Sequence, residues 1–229
     1  DHDPLEAFEP VTFLVDVPSV LFVQPSVGRD FQTFNAQARE RRGRLNFGSP
    51  GNGTTPHLSM QAINRMQQWD MTHVPYQGAG PAVNALLAGE IHAYLGGAGL
   101  GLQHVVSGRI SAVAVSSDRR LSVLPTTPTF AEVGLGSVRA SNWWALVAPK
   151  GTPAAIVQKM NAALHDAMAR PSVAERFEKL GDELQVIFLE RLRVAGKESQ
   201  HSPRSIGTLQ RAGENFPFNS GLRRYTSST

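Results

Sequence analysis

The chain has 229 residues, of which 41% are hydrophobic and 18% charged, and its net charge is +3. This composition predicts a soluble globular protein with enough length to bury a core, in one large domain or two small ones. Cysteine is absent, which excludes disulfides and thiolate metal sites. No apolar run reaches the roughly 20 residues of a membrane helix. The arginine clusters lack the interleaved aromatic residues of a nucleic-acid surface, so neither membrane insertion nor nucleic-acid binding is expected.

The first half of the chain alternates between strand and helix patterns. Two apolar runs, Val11–Val15 and Val20–Val23, predict strands with a break at residues 16–19 between them. The elements predicted next are a helix at 31–42, a strand at 45–47, a helix at 57–68 with Leu58, Ile63 and Met66 as buried positions, a strand at 71–76, a helix at 82–88, a strand at 91–95, a helix at 100–106 and a strand at 111–115. This alternation with short connections predicts an α/β fold.

The second half has fewer elements. We predict a short helix at 130–133, a strand at 141–148, a helix capped by Thr152 that extends to residue 169, and a helix at 173–180. The apolar stripe of the long helix consists of Ile156, Val157, Met160, Leu164 and Met168. From residue 186 to 229 the sequence is rich in Ser, Arg, Gly and Asn with little periodicity, which predicts a divergent, poorly ordered tail.

The turn that follows the strand at 45–47 is the strongest candidate site. It reads Gly48-Ser49-Pro50-Gly51-Asn52-Gly53-Thr54-Thr55 and leads into a predicted helix. Gly51 and Gly53 admit positive φ and a close backbone approach. The free N–H groups and the dipole at the start of the helix favour an anion, most simply a carboxylate or phosphate. The alternative is a tight connection capped by Thr54 or Thr55 without a ligand, and spacing alone does not separate the two.

Three predicted strands end in glycine-rich corners, at Gly48, Gln77 and Gly96. Because ligands of open α/β sheets bind outside the carboxyl ends of strands, three such corners favour a ligand cleft over pure architecture. Tyr76 either forms a wall of this cleft or packs beneath the loop. We interpret His57 first as a capping or packing residue, with ligand contact as the second interpretation, and His73 as structural.

Motifs of catalysis and metal binding are missing from the sequence. There is no Gly-x-Ser-x-Gly elbow, no His-x-x-x-His pair and no His/carboxylate cluster with metal spacing. The glycine turn lacks the Gly-Lys-Ser/Thr ending of a nucleotide-binding loop, and its spacing misses the dinucleotide fingerprint. We therefore expect no catalytic residue, no metal and no cofactor. An enzyme acting on an anionic small molecule is the weaker alternative.

Five motifs occur in a characteristic order along about residues 3 to 184. They are Asp3-Pro4-Leu5-Glu6-Ala7-Phe8-Glu9-Pro10-Val11, Phe47-Gly48-Ser49-Pro50-Gly51-Asn52-Gly53-Thr54, His73-Val74-Pro75-Tyr76-Gln77-Gly78-Ala79-Gly80-Pro81-Ala82, Leu124-Pro125-Thr126-Thr127-Pro128-Thr129-Phe130-Ala131-Glu132-Val133-Gly134 and Ala148-Pro149-Lys150-Gly151-Thr152-Pro153. This series resembles the tricarboxylate-transporter-type (Bug/TctC family) extracytoplasmic solute-binding proteins.

The resemblance implies a fold like that of the type II periplasmic binding proteins, with one complete lobe and a fragment of the other. Residues 23–142 would form the carboxylate-binding lobe, and residues 1–22 and 143–185 the partial first lobe. The implied function is capture of a small di- or tricarboxylate in the periplasm for the membrane subunits of a tripartite tricarboxylate transporter. A remnant or interaction domain of the same fold without a ligand is the alternative.

The resemblance also implies the positions of the ligand-binding residues. They are Ser49, Gly51, Asn52, Gly53, Thr54 and His57 at the turn, with Tyr76, Gly78, Gly96 and Gly97 completing the wall. Many relatives place an acidic or amide residue where this chain has Gly96-Gly97, so simple carboxylates are expected rather than amino acids.

Both ends of the chain depart from the family pattern. Nothing resembles the N-terminal βαβ region or the C-terminal helix. The chain begins at Asp1 without a basic-then-apolar segment, so we expect no signal peptide within these residues, and a processed or truncated N-terminus stays open. The fragmentary lobe is expected to expose apolar surface along Val11–Val15 and along the helix at 156–168.

Overall fold

One long strand, β1 (Phe8–Val23), passes through the whole structure and pairs with four other strands. The computed structural model describes residues 7–180 and 183–187 of the chain. The other strands are β2 (Asn46–Ser49), β3 (Thr72–Pro75), β4 (Ala93–Gly97), β5 (Ser111–Val115), β6 (Ser141–Pro149) and β7 (Glu183–Ile187). The helices are α1 (Phe31–Glu40), α2 (Thr55–Gln67), α3 (Ala79–Ala88), α4 (Ala98–Val106), α5 (Ala154–Met168) and α6 (Pro171–Leu180). The expected alternation of strands and helices is confirmed.

The two halves of β1 belong to different parts of the sheet. Its C-terminal half lies in the order β3-β2-β4-β1-β5, where β2 is parallel to β3 and β4, and β1 is antiparallel to β4 and β5. Its N-terminal half pairs antiparallel with β6, from Phe8 opposite Pro149 to Pro18 opposite Ser141, and also with β7. A single strand thus joins a mixed, mainly parallel half of the sheet to an antiparallel half.

The predicted break at residues 16–19 does not occur, because β1 continues through Pro18. The pairing with β7 stops at Asp16 and the pairing with β4 starts at Ser19, so Pro18 has a strand neighbour only on the β6 side. A proline is tolerated at such a position because its missing N–H removes no ladder bond. Ser19 then resumes the backbone pairing by donating its N–H to Ala140 O at 3.1 Å.

Helices cover the mainly parallel half of the sheet on both faces. Neighbouring residues Leu21 and Phe22 of β1 point to opposite faces, and both are fully buried. On one face α1 and α2 contribute Phe34, Met60 and Ile63 to a core that they share with Phe47 of β2 and with Trp69. On the other face α3 and α4 contribute Val83, Leu86 and Ala98, which pack with Tyr94 of β4. Burial from both sides explains the continuous apolar runs of these strands.

Several local predictions are wrong in detail. In α2 Ile63 is buried as predicted, but Leu58 and Met66 are exposed and the helix buries Met60 instead. The residues predicted as a short helix at 130–133 form consecutive turns, such as Val133 N–H to Phe130 O at 3.3 Å. Thr152 does not cap α5, because its hydroxyl donates to Pro149 O at 2.7 Å and the helix begins at Ala154 after Pro153.

The antiparallel half of the sheet is covered less completely. Val11 and Val15 are buried, contrary to the prediction that they are exposed, and Val11 packs against Ala148 and Val157. The prediction holds for α5, where Ile156 and Met160 are exposed. Exposed apolar side chains also lie on β6, where Trp144 is 65% exposed.

The C-terminal part of the chain is described only as far as β7. Residues 186 and 187, placed in the predicted tail, are part of this strand, while residues 188–229 lie outside the described residues. None of the described helices is long and apolar enough to cross a membrane.

Candidate functional site

The carboxyl ends of β2, β3 and β4 meet at one edge of the sheet. Because these strands are parallel, Ser49 lies opposite Pro75, and Gly48 lies opposite Tyr94. Ser19 of β1 lies opposite Gly97 at the same edge, where the pairing of β1 with β4 begins. The three glycine-rich corners therefore lie along one edge of the sheet, as the sequence predicted.

The turn after β2 is held by its own hydrogen bonds. Gly51 donates its N–H to Ser49 Oγ at 3.2 Å, and Gly51 O accepts from the hydroxyls of Ser49 at 3.0 Å and Thr54 at 2.8 Å. Gly51 has φ of 144° and Gly53 has φ of 76°, in the region that favours glycine. The turn thus needs glycine at both positions to keep its shape.

The N-terminus of α2 has no side-chain cap. Thr54 is the residue before the helix, but its hydroxyl bonds to Gly51 O instead of a helix N–H. Neither the proposed cap by Thr54 nor one by Thr55 is therefore formed. Within the described part of the chain, no acceptor meets the N–H groups of Asn52, Thr54 and Thr55. These three amides are the unpaired donors that an anion at a helix start can accept from.

Two of the turn amides are used internally, which corrects the expectation that the whole turn offers its N–H groups to a ligand. Gly51 N–H is bonded to Ser49 Oγ, and Gly53 N–H donates to His57 Nδ1 at 3.0 Å. A Cβ at Gly53 would meet no atom within 4 Å, so the space beside Gly53 is open.

A pair of histidines lies against this turn. The ring of His57 stacks on the ring of His73 with centroids 3.9 Å apart and planes inclined by 16°. His73 Nε2 is 2.7 Å from Ser49 Oγ. When the Ser49 hydroxyl donates to Gly51 O, His73 is the donor to Ser49. Burial lowers the pKa of His73, and the charge of His57 lowers it further.

Sequence reasoning treated His57 and His73 separately and missed their contact. The available signal was the register of parallel strands, since His73 lies opposite Phe47 on the strand next to the turn. The centroids of those two rings are 5.0 Å apart. His57 lies in the first turn of α2, directly after the loop that follows β2, and His73 lies on the neighbouring strand β3. The pairing of β2 with β3 therefore places both imidazoles beside the same loop.

The Ser49–His73 contact does not have the features of a catalytic nucleophile and its base. Ser49 is fully buried, so no substrate reaches its hydroxyl. No carboxylate in the described ranges contacts His73 to orient its ring, as the third member of a triad does. Residues 7–180 and 183–187 also contain no group of three or more His, Asp or Glu side chains that could hold a metal ion.

The corner after β3 is tied to the turn after β2. Tyr76 donates its N–H to Ser49 O at 2.9 Å, and Gly78 donates to Pro50 O at 3.2 Å. The Tyr76 ring is half-buried beneath Gly48, and burial, followed by the charge of Glu90, raises the pKa of its phenol. Of the two alternatives for Tyr76, the structure shows packing beneath the loop, with part of the ring exposed.

The corner after β4 is covered. Gly96 and Gly97 are buried, and a Cβ would lie 2.5 Å from Tyr94 Cε1 at Gly96 and 2.8 Å from Val17 Cγ1 at Gly97. A Cβ at Gly99, in the first turn of α4, would lie 3.4 Å from Leu180 Cδ2 of α6. Packing therefore explains these glycines, and the structure does not bring them together with the open part of the turn.

Comparison with known proteins identifies relatives of the whole described region. The model of the tripartite tricarboxylate transporter family receptors, TctC, matches residues 1–191. A UPF0065 protein from the tcbD-tcbE intergenic region of Pseudomonas sp. strain P51 is 37% identical over 176 residues, which are 76% of this chain and 52% of that protein. BugT of Bordetella pertussis is 34% identical over 178 residues, 77% of this chain and 55% of that protein. The chain spans about half the length of the curated relatives it matches.

Solved structures show the same fold. The periplasmic binding protein BugD superposes with a TM-score of 0.80 at 27% identity, covering 93% of this chain and 71% of that one. Rpa4515 of R. palustris, solved with adipate, superposes with a TM-score of 0.81 at 26% identity and the same coverage. These structures confirm the α/β fold of the type II periplasmic binding proteins. On the match of the family model to most of its length, the chain belongs to the tripartite tricarboxylate transporter receptor (TctC, or Bug) family.

Proposed function

We propose that this chain is the part of a solute-binding receptor that holds a carboxylate of a small di- or tricarboxylate against the turn at residues 49–54. The observation that carries the proposal is the set of amides at Asn52, Thr54 and Thr55 without acceptors at an uncapped helix start. A carboxylate accepts such N–H groups and is stabilised by the helix dipole. The open space beside Gly53 leaves room for it.

The ligands of two related structures agree with this chemistry. Rpa4515 was solved with adipate, and MatC of Rhodopseudomonas palustris, which is 26% identical to this chain, was solved with bound malate. Both are dicarboxylates. Amino acids are disfavoured, because Val17 and Tyr94 fill the space for an acidic or amide side chain at positions 96 and 97, which would pair with a ligand amine.

The proposal assigns a role to each part of the chain. Residues 23–142 form the carboxylate-binding second lobe, and residues 1–22 with 143–185 form the partial first lobe. The ligand wall consists of Asn52, Gly53, Thr54 and His57, while Ser49, Gly51, Tyr76 and Gly78 hold the turn in shape. The receptor works in the periplasm and delivers its ligand to the membrane subunits of the transporter. The family description, a transporter receptor, is that of a binding protein and not of an enzyme.

Calorimetry with malate, adipate, succinate and citrate tests the proposal. Gly53→Val is the informative variant, because a side chain at φ of 76° strains the turn and enters the space for the ligand. Gly108→Val is the matched control, since Gly108 has φ of 71° with no atom within 4 Å of its Cβ position and precedes β5 at the opposite edge of the sheet.

The expected result is binding that Gly53→Val weakens at least about tenfold, or about 1.4 kcal/mol, and Gly108→Val leaves unchanged. Equal affinity in folded Gly53→Val and wild-type protein contradicts the assignment of the turn. Failure of all four acids to bind contradicts the proposed function of this chain.

A further inference from the structure

The bond between Gly53 and His57 links the turn to a titratable group. Gly53 N–H donates to His57 Nδ1 at 3.0 Å, so this nitrogen carries no proton in the structure described here. A neutral imidazole with Nδ1 as acceptor carries its proton on Nε2. Adding a second proton converts Nδ1 into a donor, and Gly53 N–H then loses its acceptor. The protonation state of His57 therefore decides whether Gly53 N–H is available to a ligand.

His73 restricts the pair to a single proton. The two rings are stacked with centroids 3.9 Å apart, and two positive charges at that separation repel each other strongly. His73 is the more enclosed ring and is held by Ser49 at 2.7 Å. Burial, and then the charge of His57, lowers the pKa of His73, which keeps His73 neutral when His57 is charged.

The elements beside the pair, among the described residues, carry two further ionisable side chains that bear on it. Strand β2 contributes no titratable side chain, and β3 leads to the phenol of Tyr76, whose raised pKa keeps it neutral near pH 7. The segment before β6 lies beside α2, where Ser59 Oγ donates to Arg139 O at 3.1 Å. The Arg139 side chain is exposed. The two imidazoles are the ionisable groups that bond to the turn itself, His57 at Gly53 and His73 at Ser49.

From this geometry we infer that carboxylate binding at the turn is coupled to the uptake of one proton by His57. The inference rests on the proposed function. One proton moves from solvent to His57 Nδ1, and Gly53 N–H transfers its hydrogen bond from that nitrogen to a carboxylate oxygen. The ligand gains one amide donor and a neighbouring positive charge in the same step. A charge-assisted bond of this kind is stronger than the neutral bond that it replaces.

The coupling has a defined pH dependence. Where one proton is taken up with the ligand, affinity rises by up to about tenfold per unit fall in pH. Where the free protein already holds that proton, the dependence ends. Adipate and malate are fully ionised near pH 7, so they contribute no protons of their own there.

The experiment is calorimetry of adipate and malate near pH 7 in two buffers that differ in ionisation enthalpy, which counts protons bound with the ligand. The expected result is net proton uptake with the ligand in the wild-type protein, of at most one proton per ligand. His57→Phe keeps an aromatic ring on His73 but removes both the acceptor and the proton, so uptake should be lost. His165→Gln, an exposed histidine on α5, is the control and should leave uptake unchanged.

A second measurement needs no ligand. In a ¹⁵N-resolved NMR titration, the Gly53 amide resonance should shift with the His57 ring resonances in wild-type protein and should stop responding to pH in His57→Phe. Ligand binding without proton uptake, or uptake that survives in His57→Phe, overturns the inference while leaving the proposed function intact. An unresponsive Gly53 amide overturns it as well. If neither acid binds, the proposed function and the inference fall together.

Discussion

Val17, in the middle of β1, occupies the space that a side chain at position 97 would need, since a Cβ on Gly97 would lie 2.8 Å from Val17 Cγ1. The contact lies at the edge where β1 passes from one half of the sheet to the other. A β-branched side chain has few rotamers to escape into, so one extra carbon at position 97 has to displace backbone.

Gly97→Ala should therefore destabilise the protein by about 1–3 kcal/mol, as overpacking of a core does. Val17→Ala should recover part of that loss in the double variant, because it removes the clashing methyl group. Urea denaturation of the four proteins measures the coupling. Gly80→Ala is the control, because its Cβ position in α3 is open, and it should be neutral or stabilising. Additive effects of Gly97→Ala and Val17→Ala would contradict the contact.

Asn64 joins α2 to the start of β3 through two buried hydrogen bonds. Its Nδ2 donates to Met71 O at 3.0 Å, and its Oδ1 accepts Met71 N–H at 2.9 Å. Asn64→Leu leaves both backbone groups of Met71 without partners, so we expect a loss of about 2–4 kcal/mol in unfolding free energy. Arg65→Leu, at the exposed neighbouring position, should change stability by less than about 0.5 kcal/mol. Equal effects at the two positions would show that the bonds contribute nothing.

Stability should fall on acidification through His73 and His92. Burial is the main cause that lowers the pKa of each below 6.5, with the charge of His57 acting on His73 and that of Arg41 on His92. As pH falls through about 6.5, these histidines therefore take up protons in the unfolded chain before they do so in the folded protein. The unfolding free energy falls as a result, by at most about 1.4 kcal/mol per pH unit for each histidine.

The pH dependence is measured as unfolding free energy in urea at a series of pH values. His73→Phe and His92→Phe should each flatten the curve between neutral and mildly acidic pH, and His165→Gln should not. A wild-type curve that rises as pH falls through this range would contradict both shifts.

Exposed apolar side chains on β6 and α5 should drive self-association. Trp144 is 65% and Ile156 50% exposed, so replacing them with Thr and Lys removes little packing. We expect Trp144→Thr and Ile156→Lys to lower the weight-average mass in sedimentation at high protein concentration, with stability within about 0.5 kcal/mol of wild type. Arg170→Ala, at an exposed polar position, should leave the mass unchanged. An unaltered mass in all variants would show that this surface does not associate.

The sequence by itself determined the elements and the chemistry of the turn. Apolar runs and helical spacing predicted β2 to β6 and α1 to α6 to within a few residues, because these signals are local. Gly51 and Gly53 were identified for the positive φ that the structure shows at both. The order of the motifs predicted the family and fold that the comparisons confirm.

Only the tertiary structure decided which residues meet. The break expected at residues 16–19 vanished because β6 supplies a strand partner through Pro18. His57 and His73 are in contact because β2 and β3 are adjacent and parallel. The residues next to each histidine in the sequence do not specify that pairing. Gly97 is a packing position because β1, far away in sequence, lies opposite it. Contacts between distant segments depend on strand order and register, which local propensity and periodicity do not contain.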